Sequence, residues 1–455
     1  MDDIYGLDFG TSNSSIAIAH GSAVTVLPID PTAPNQKVAS SVLYVERAGQ
    51  DFIGAEAIRK FVEQNTGREV RRQRVATGEI IKTDFGDEWV QFDVDVAIPG
   101  RFFQALKTFL KSESFEGTKV FNEFLSLEQL ISKILSQMKA RADALQDRQI
   151  EAVVMGRPVF FSEDPIKDKL AQDRLYAAAK LAGFQHIEFL FEPIGAALAY
   201  EANLESEKVA FVFDFGGGTL DFTIIRLGPQ LLLKEDRAKD VLAVGGVVIG
   251  GDTFDEDIME RRLLKYFGSQ YVGKNVIGPE FGMPARILSQ LRSWYTIPML
   301  NERDTIRSLQ ELATSAVKGK ADVLALLNLI QKNYGWDLFQ TIEKAKITLS
   351  NEVETRIVFN RENIHLEEEL TRQAFEGLIS KHLRLIQEEI VRTIHSAGLQ
   401  AGDIDVVIQT GGSSLIPTVQ HLLQAQFGED KVYQQEVFTS VVTGLALAGK
   451  LKFSK

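Results

Sequence analysis

The chain has 455 residues, 45% hydrophobic and 25% charged, which is the balance of a soluble globular protein with room for two or more well-buried cores. A net charge of −12 and a pI near 5.2 exclude a sequence-independent nucleic-acid binder, which needs a basic face. With no cysteine, disulfides, thiolate nucleophiles and thiolate zinc sites are excluded too, and the six histidines fall at no helical metal-ligand spacing.

Asp2 and Asp3 lead straight into an apolar strand, unlike a secretory signal. The longest apolar stretches, such as Val241 to Ile249, are too short to span a bilayer, so no membrane partner and a cytoplasmic location are expected. The first strand ends in Asp8-Phe9-Gly10 and turns through Thr11-Ser12-Asn13 into a second apolar strand, Ser15 to Ala19, the pattern of a tight hairpin. A mixed, charged insertion follows from about 35 to 124, and its run of Arg68, Arg71, Arg72 and Arg74 reads as a solvated helix face.

Ile150 to Met155 is a buried strand closed by Gly156-Arg157-Pro158. Glu192-Pro193 opens a helix of small residues running to Tyr200, with proline at a position suited to a helix start. After a polar boundary near Glu201 to Lys208, the opening pattern recurs: Phe211-Val-Phe-Asp214-Phe-Gly216-Gly217-Gly218-Thr219, then an apolar strand from Asp221 to Leu227. Gly250-Gly251-Asp252-Thr253 leads into a helix, which suits either an anion at the helix start or a cap made by Asp252 or Thr253. A mainly helical insertion runs to about 366, and within it Glu343 to Ser350 reads as an exposed helix. Ile404 to Gln409 is a buried strand ending in Thr410-Gly411-Gly412-Ser413, and Ser440 to Gly449 is a second small-residue helix.

The order of elements is thus duplicated, giving an α/β protein of two similar lobes, 1–203 and 204–455, with insertions at about 35–124 and 250–366. Two small-residue helices in matching positions suggest a packed hinge. Each Asp-Phe-Gly turn offers backbone amides to an anion, and Asp8, Asp214 and Asp221 stand where a cation beside a phosphate would be held. An ordinary hairpin with a polar tip is the alternative for the first turn taken alone. Three successive glycines, Gly216 to Gly218, lose much backbone freedom on folding and are expected where a ligand comes close to the main chain.

Taken together and in order, Asp8 to Asn13, Glu192 to Tyr200, Val212 to Asp221, Gly250 to Asp255, Glu343 to Ser350 and Gly411 to Pro417 resemble the ATPase domain of seventy-kilodalton heat-shock (DnaK-type) chaperones over nearly the whole chain. The segment Leu291-Arg-Ser-Trp294-Tyr-Thr-Ile-Pro298 and the early C-terminus are similar to the short YegD-like members. The resemblance implies the actin-like ATPase fold, with mixed sheets, flanking helices and a nucleotide cleft between the lobes. It implies ATP with Mg2+, and K+ as a further ion, around Asp8, Asp214 and Asp221. It assigns the phosphate loops to Gly10, Thr11, Ser12 and Asn13 and to Gly216, Gly217, Gly218 and Thr219, with Gly250, Gly251 and Asp252 beside them. It places Glu192 near the attacking water and matches Lys107 to the lysine on the terminal phosphate, with Lys111 close by in sequence. It sets Glu343, Lys346, Ile347 and Ser350 on the adenosine-facing helix and Gly411, Gly412 and Ser413 beneath the adenine.

This sequence has Ile347 and Leu415 where the family often has arginines that sandwich the base, and Phe438 where it has an aspartate. The hydrophobic linker and β-sandwich peptide-binding domain are missing from the sequence, so only the nucleotide engine carries over. The expected function is a slow, chaperone-like ATPase acting with an unidentified client or partner protein. The alternatives are a switch or scaffold that binds ATP with little hydrolysis, a small-molecule kinase, or a filament protein on the same fold.

Overall fold

The computed structural model describes the chain except for residues 1–2, 21–22, 66–71, 84–85, 96, 163, 202, 232–233, 235–236, 275–277, 435–438 and 454–455. Phe438, Arg68 and Arg71 lie outside the described residues. Arg72 and Arg74 belong to the strand Arg72–Thr83, paired with Gly86–Asp95, so that part of the basic run forms no helix. In the partner strand Val90, Phe92 and Val94 alternate with Gln91 and Asp93, which suits a strand better than a helical stripe.

Two sheets repeat one plan. In the first, five strands lie in the order His186–Phe191, Ala152–Arg157, Asp3–Phe9, Asn13–His20, Ala23–Val26, and a short Ala39–Ser40 strand pairs with Asn13–His20 outside that row. In the second the order is Val432–Gln434, Val406–Thr410, Lys208–Phe215, Leu220–Leu227, Val241–Val247. Hairpin neighbours are antiparallel and the crossover neighbours parallel in both. The registers match as well: Asp8 lies opposite Ser15, and Asp214 opposite Asp221. The strands expected from Ile150 and from Ile404 begin two residues later, where parallel pairing with Tyr5 and Ala210 starts.

The alternation of side chains along these strands divides the core. Tyr5, Leu7, Val153 and Met155 face outward onto the helices Leu127–Gln146 and Pro165–Leu181. Phe211, Phe213 and Val407 do the same against Arg372–Ser396 and Pro417–Phe427. The inward set, Ile4, Val154, Val212 and Ile408, shares one cluster with Ala197 and Leu445 of the two small-residue helices, Glu192–Glu201 and Ser440–Phe453. Those helices form the middle layer that joins the lobes. Here glycine is required by space. A Cβ on Gly444 would overlap the Gly195 carbonyl, and one on Gly6 would overlap the backbone of Ala446.

Gly444→Val should therefore force the helices apart and lower unfolding stability by roughly 3 kcal/mol. Gly377→Ala, on an exposed helix face with nothing within 4 Å, should raise it by about 0.5–1 kcal/mol. Urea titrations of both variants make the comparison, and equal effects would contradict the tight crossing.

Candidate functional site

Each hairpin is closed in the same way: the Gly10 amide donates to the Asn13 carbonyl at 3.0 Å, and the Gly216 amide to the Thr219 carbonyl at 3.0 Å. The two tips face each other. The Ser12 hydroxyl stands 3.3 Å from where a Cβ on Gly217 would be, and also flanks Gly218. Thr11 lies beside Gly218, while Asn13 is exposed at the start of its strand.

The second tip is bound to its surroundings through backbone. The amides of Gly251 and Asp252 donate to the carbonyls of Gly216 (3.1 Å) and Gly217 (2.8 Å). The Ser413 hydroxyl donates to the Gly216 carbonyl at 3.0 Å. Gly411 has φ 78°, and a side chain there would run into the Phe215 carbonyl. Gly412 follows in a short 3-10 turn with Ser413. The helix Gly251–Ile258 is capped by Gly250 rather than by Asp252 or Thr253, because only a glycine fits against the Gly217 carbonyl. Thr253 instead accepts from the Gly250 amide at 3.2 Å.

Between the tips lies a cluster of acids with one close ammonium. Lys107 sits on the short helix Leu106–Phe109, entered through Ala105 in a left-handed conformation (φ 52°) that non-glycine residues seldom adopt. Its Nζ donates to Glu192 Oε1 at 2.7 Å. Glu192 begins its helix against Gly156, whose missing side chain leaves room for the Glu192 stem. Burial and, after it, Glu192 raise the Asp8 carboxyl to about 7 against the weaker opposing pull of Lys107. Asp214 is held well above its ordinary value by burial and by Asp221, Glu192 and Asp8. Asp221 is exposed to the cleft but deep among protein atoms, and it too is raised, although the Thr219 hydroxyl donates to it at 3.0 Å. Burial alone would lower Lys107, but Glu192, Asp8 and Asp221 outweigh it and hold it charged.

Among the described residues no group of three or more acids or histidines closes directly on a point that could hold a metal ion. Asp8, Asp214 and Asp221 are thus gathered around the cleft without forming a cage. That arrangement suits Mg2+, which keeps several waters and is shared with substrate phosphates, and the excess of buried negative charge supplies the demand for a cation.

On the other side of the second tip, the helix Gly335–Asn351 carries Glu343, Lys346, Ile347 and Ser350. Only one face is solvated, since Ile342, Ala345 and Leu349 are buried. Lys346 does not stand free: its Nζ donates to the Gly251 carbonyl at 2.9 Å and to Asp255 at 2.7 Å. Burial raises Asp252 to about 6 against the pull of Lys346, with Glu343 adding to the rise. Glu343 and Ile347 are exposed, and Ser350 is half-buried. The Lys107–Glu192 and Lys346–Asp255 pairs were beyond sequence reasoning, their partners lying far apart in the chain. A concavity of about 450 Å³ is lined by Arg157, Tyr176, Phe189, Phe191 and Arg237, and its lining includes none of Asp8, Asp214 and Asp221.

The family model described as Hsp70 protein matches residues 4–275 and 330–452. The chain belongs to the Hsp70 family, whose members are ATP-binding chaperones, and its fold is that family's actin-like ATPase fold. No helix among the described residues is long and apolar enough to cross a membrane.

The raised acids give a pH signature. The ligand-free folded protein holds protons on Asp8 between its ordinary 3.8 and about 7 that the unfolded chain has lost. Stability contributed by this group is therefore present at low pH and falls as pH rises through that window. Asp8→Asn should raise the ligand-free melting temperature at pH 8 by roughly 2–4 °C and bring little gain at pH 4. A pH-independent gain in thermal melts would show that Asp8 carries no such burden.

Proposed function

We propose that the chain binds ATP with Mg2+ between the two hairpin tips and hydrolyses it slowly by in-line attack of water on the γ-phosphate. The observation that carries this reading is the facing pair of identically closed hairpins with an acid cluster and Lys107 between them. Amides of the two loops would receive the phosphate oxygens, donors fixed in advance for charge that must be stabilised. Mg2+, held by Asp8, Asp214 and Asp221 largely through water, would neutralise the β- and γ-phosphates. Lys107 would leave Glu192 for the terminal phosphate, freeing the Glu192 carboxylate to orient water. Asp214 would help orient that water and accept its proton. Thr219 would steady the γ-phosphate while still donating to Asp221.

The adenosine would lie between the Gly335–Asn351 helix and the Gly411–Ser413 turn. Ile347, 58% exposed, would meet the base as an apolar surface, so phosphate contacts would carry most of the affinity. Nucleotide-dependent movement of the lobes would then act on a client or partner protein.

Calorimetric titration with ATP and Mg2+, followed by phosphate release, tests the reading. Asp214→Asn should keep measurable nucleotide binding and lose turnover by a hundredfold or more. Undiminished hydrolysis would remove Asp214 from the chemistry. Tight binding by the unaltered chain with no phosphate release would favour a nucleotide-held switch instead. Absence of binding to any nucleoside triphosphate would overturn the whole reading.

A further inference from the structure

Gly251 marks where two parts of the second lobe close on its hairpin tip. The Ser413 hydroxyl lies 2.7 Å, and the Lys346 ammonium 3.3 Å, from where a Cβ on Gly251 would be. The helix Gly335–Asn351 and the Gly412–Leu415 turn thus stand as two walls beside the tip. Several polar side chains of those walls are already committed to the protein itself. The Ser413 hydroxyl donates to the Gly216 carbonyl at 3.0 Å, and the fully buried Ser414 hydroxyl to the Gly411 carbonyl at 2.7 Å. Lys346 is held by the Gly251 carbonyl and Asp255. At the end of the helix, the Arg372 guanidinium donates to the carbonyls of Leu349 at 2.9 Å and Glu352 at 3.0 Å.

What the walls leave open is aliphatic surface and two simple polar groups. Ile347, next to Lys346, is 58% exposed, and Leu415, two residues past Ser413, is half-buried. Glu343 lies four residues before Ile347 and Ser350 three after it, a spacing that puts all three on one face of the helix. Glu343 is exposed and accepts from the Gln340 amide at 3.0 Å, while Ser350 is half-buried.

Adenine and guanine differ along one edge. An amine stands in one where a carbonyl stands in the other, and the adjoining ring nitrogen accepts in adenine and donates in guanine. A fixed donor or acceptor facing that edge rejects the wrong base by roughly 10⁴-fold, because the protein's own polar group is left unpaired, whereas an apolar wall imposes no such penalty. Neither open polar group is fixed in this sense. A serine hydroxyl rotates to donate or to accept, and a carboxylate accepts from an amine of either base. We propose that this is a site for purine nucleoside triphosphates as a class, held through phosphate and Mg2+ and nearly indifferent to adenine or guanine. The proposal rests on the reading that a nucleotide lies between the hairpin tips with its base between these two walls.

Calorimetric titration of the full chain with ATP and with GTP, Mg2+ present, is the test. The two dissociation constants should agree within about tenfold. Ile347→Ala and Leu415→Ala should weaken both nucleotides together, and Ser350→Ala should leave their ratio within about threefold of the unaltered chain's. A wider preference for either base, or a larger shift of the ratio in Ser350→Ala, would overturn the proposal by revealing a fixed reader of the base edge, with the nucleotide reading left standing. Binding of neither nucleotide would overturn the nucleotide reading and the proposal together.

Discussion

The contact on which everything else depends is the crossing of the two small-residue helices, where Gly195 and Gly444 meet backbone to backbone. Packed helices usually lie 8–10 Å apart, at a distance set by the side chains between them. Removing those side chains draws the lobes together, and because each helix is fixed to its own sheet, the hairpin tips are drawn together with them. The Ser12 hydroxyl beside Gly217 is the outcome. One ordinary side chain at the crossing would hold the two hairpin tips apart.

That closeness has an electrostatic consequence. Asp8, Asp214, Asp221 and Glu192 share the space with Lys107, and burial pushes the first two toward the protonated form. A polyphosphate entering such a site alone would meet like charge. A polyphosphate arriving with a divalent cation would relieve it, and the loop amides would meet the remaining negative charge. On the proposed reading, the same cluster would favour metal-bound over free nucleotide before any chemistry.

The hairpins, both small-residue helices and the duplication were legible in the sequence because each is a local pattern. Asp-Phe-Gly followed by small polar residues, a glycine triplet, and alanine and glycine within a helix all act on backbone next to themselves. What depended on distant parts of the chain was not legible. Lys107 meets Glu192 across 85 positions, and Ser41 reaches the first tip through a strand two residues long. The cap of the Gly251–Ile258 helix escaped for a related reason. Asp252 and Thr253 are good capping types, but the Gly217 carbonyl occupies the space that any side chain at the cap would need. The run from Arg68 to Arg74 was expected as a solvated helix face, but Arg72 and Arg74 fall in the strand Arg72–Thr83, whose pairing with Gly86–Asp95 no local charge pattern reveals.

The helix Gly335–Asn351 couples these parts mechanically. Lys346 is tied to a backbone carbonyl and to a buried carboxylate, Asp255, whose protonation range is itself raised to about 7 by burial. An ammonium so held cannot swing away without leaving that carboxylate unpaired in the interior, which costs several kcal/mol at such sites. The helix and the Gly250–Asp255 turn therefore move as one body. Since that turn is hydrogen-bonded to the Gly216–Gly217 carbonyls, a displacement of the second hairpin tip becomes a displacement of the helix start. Trp336 stands there, packed against the first lobe. Close-packed contacts of this kind switch between arrangements rather than stretch, so the second hairpin tip and the packing of Trp336 on the first lobe are linked through a single rigid element.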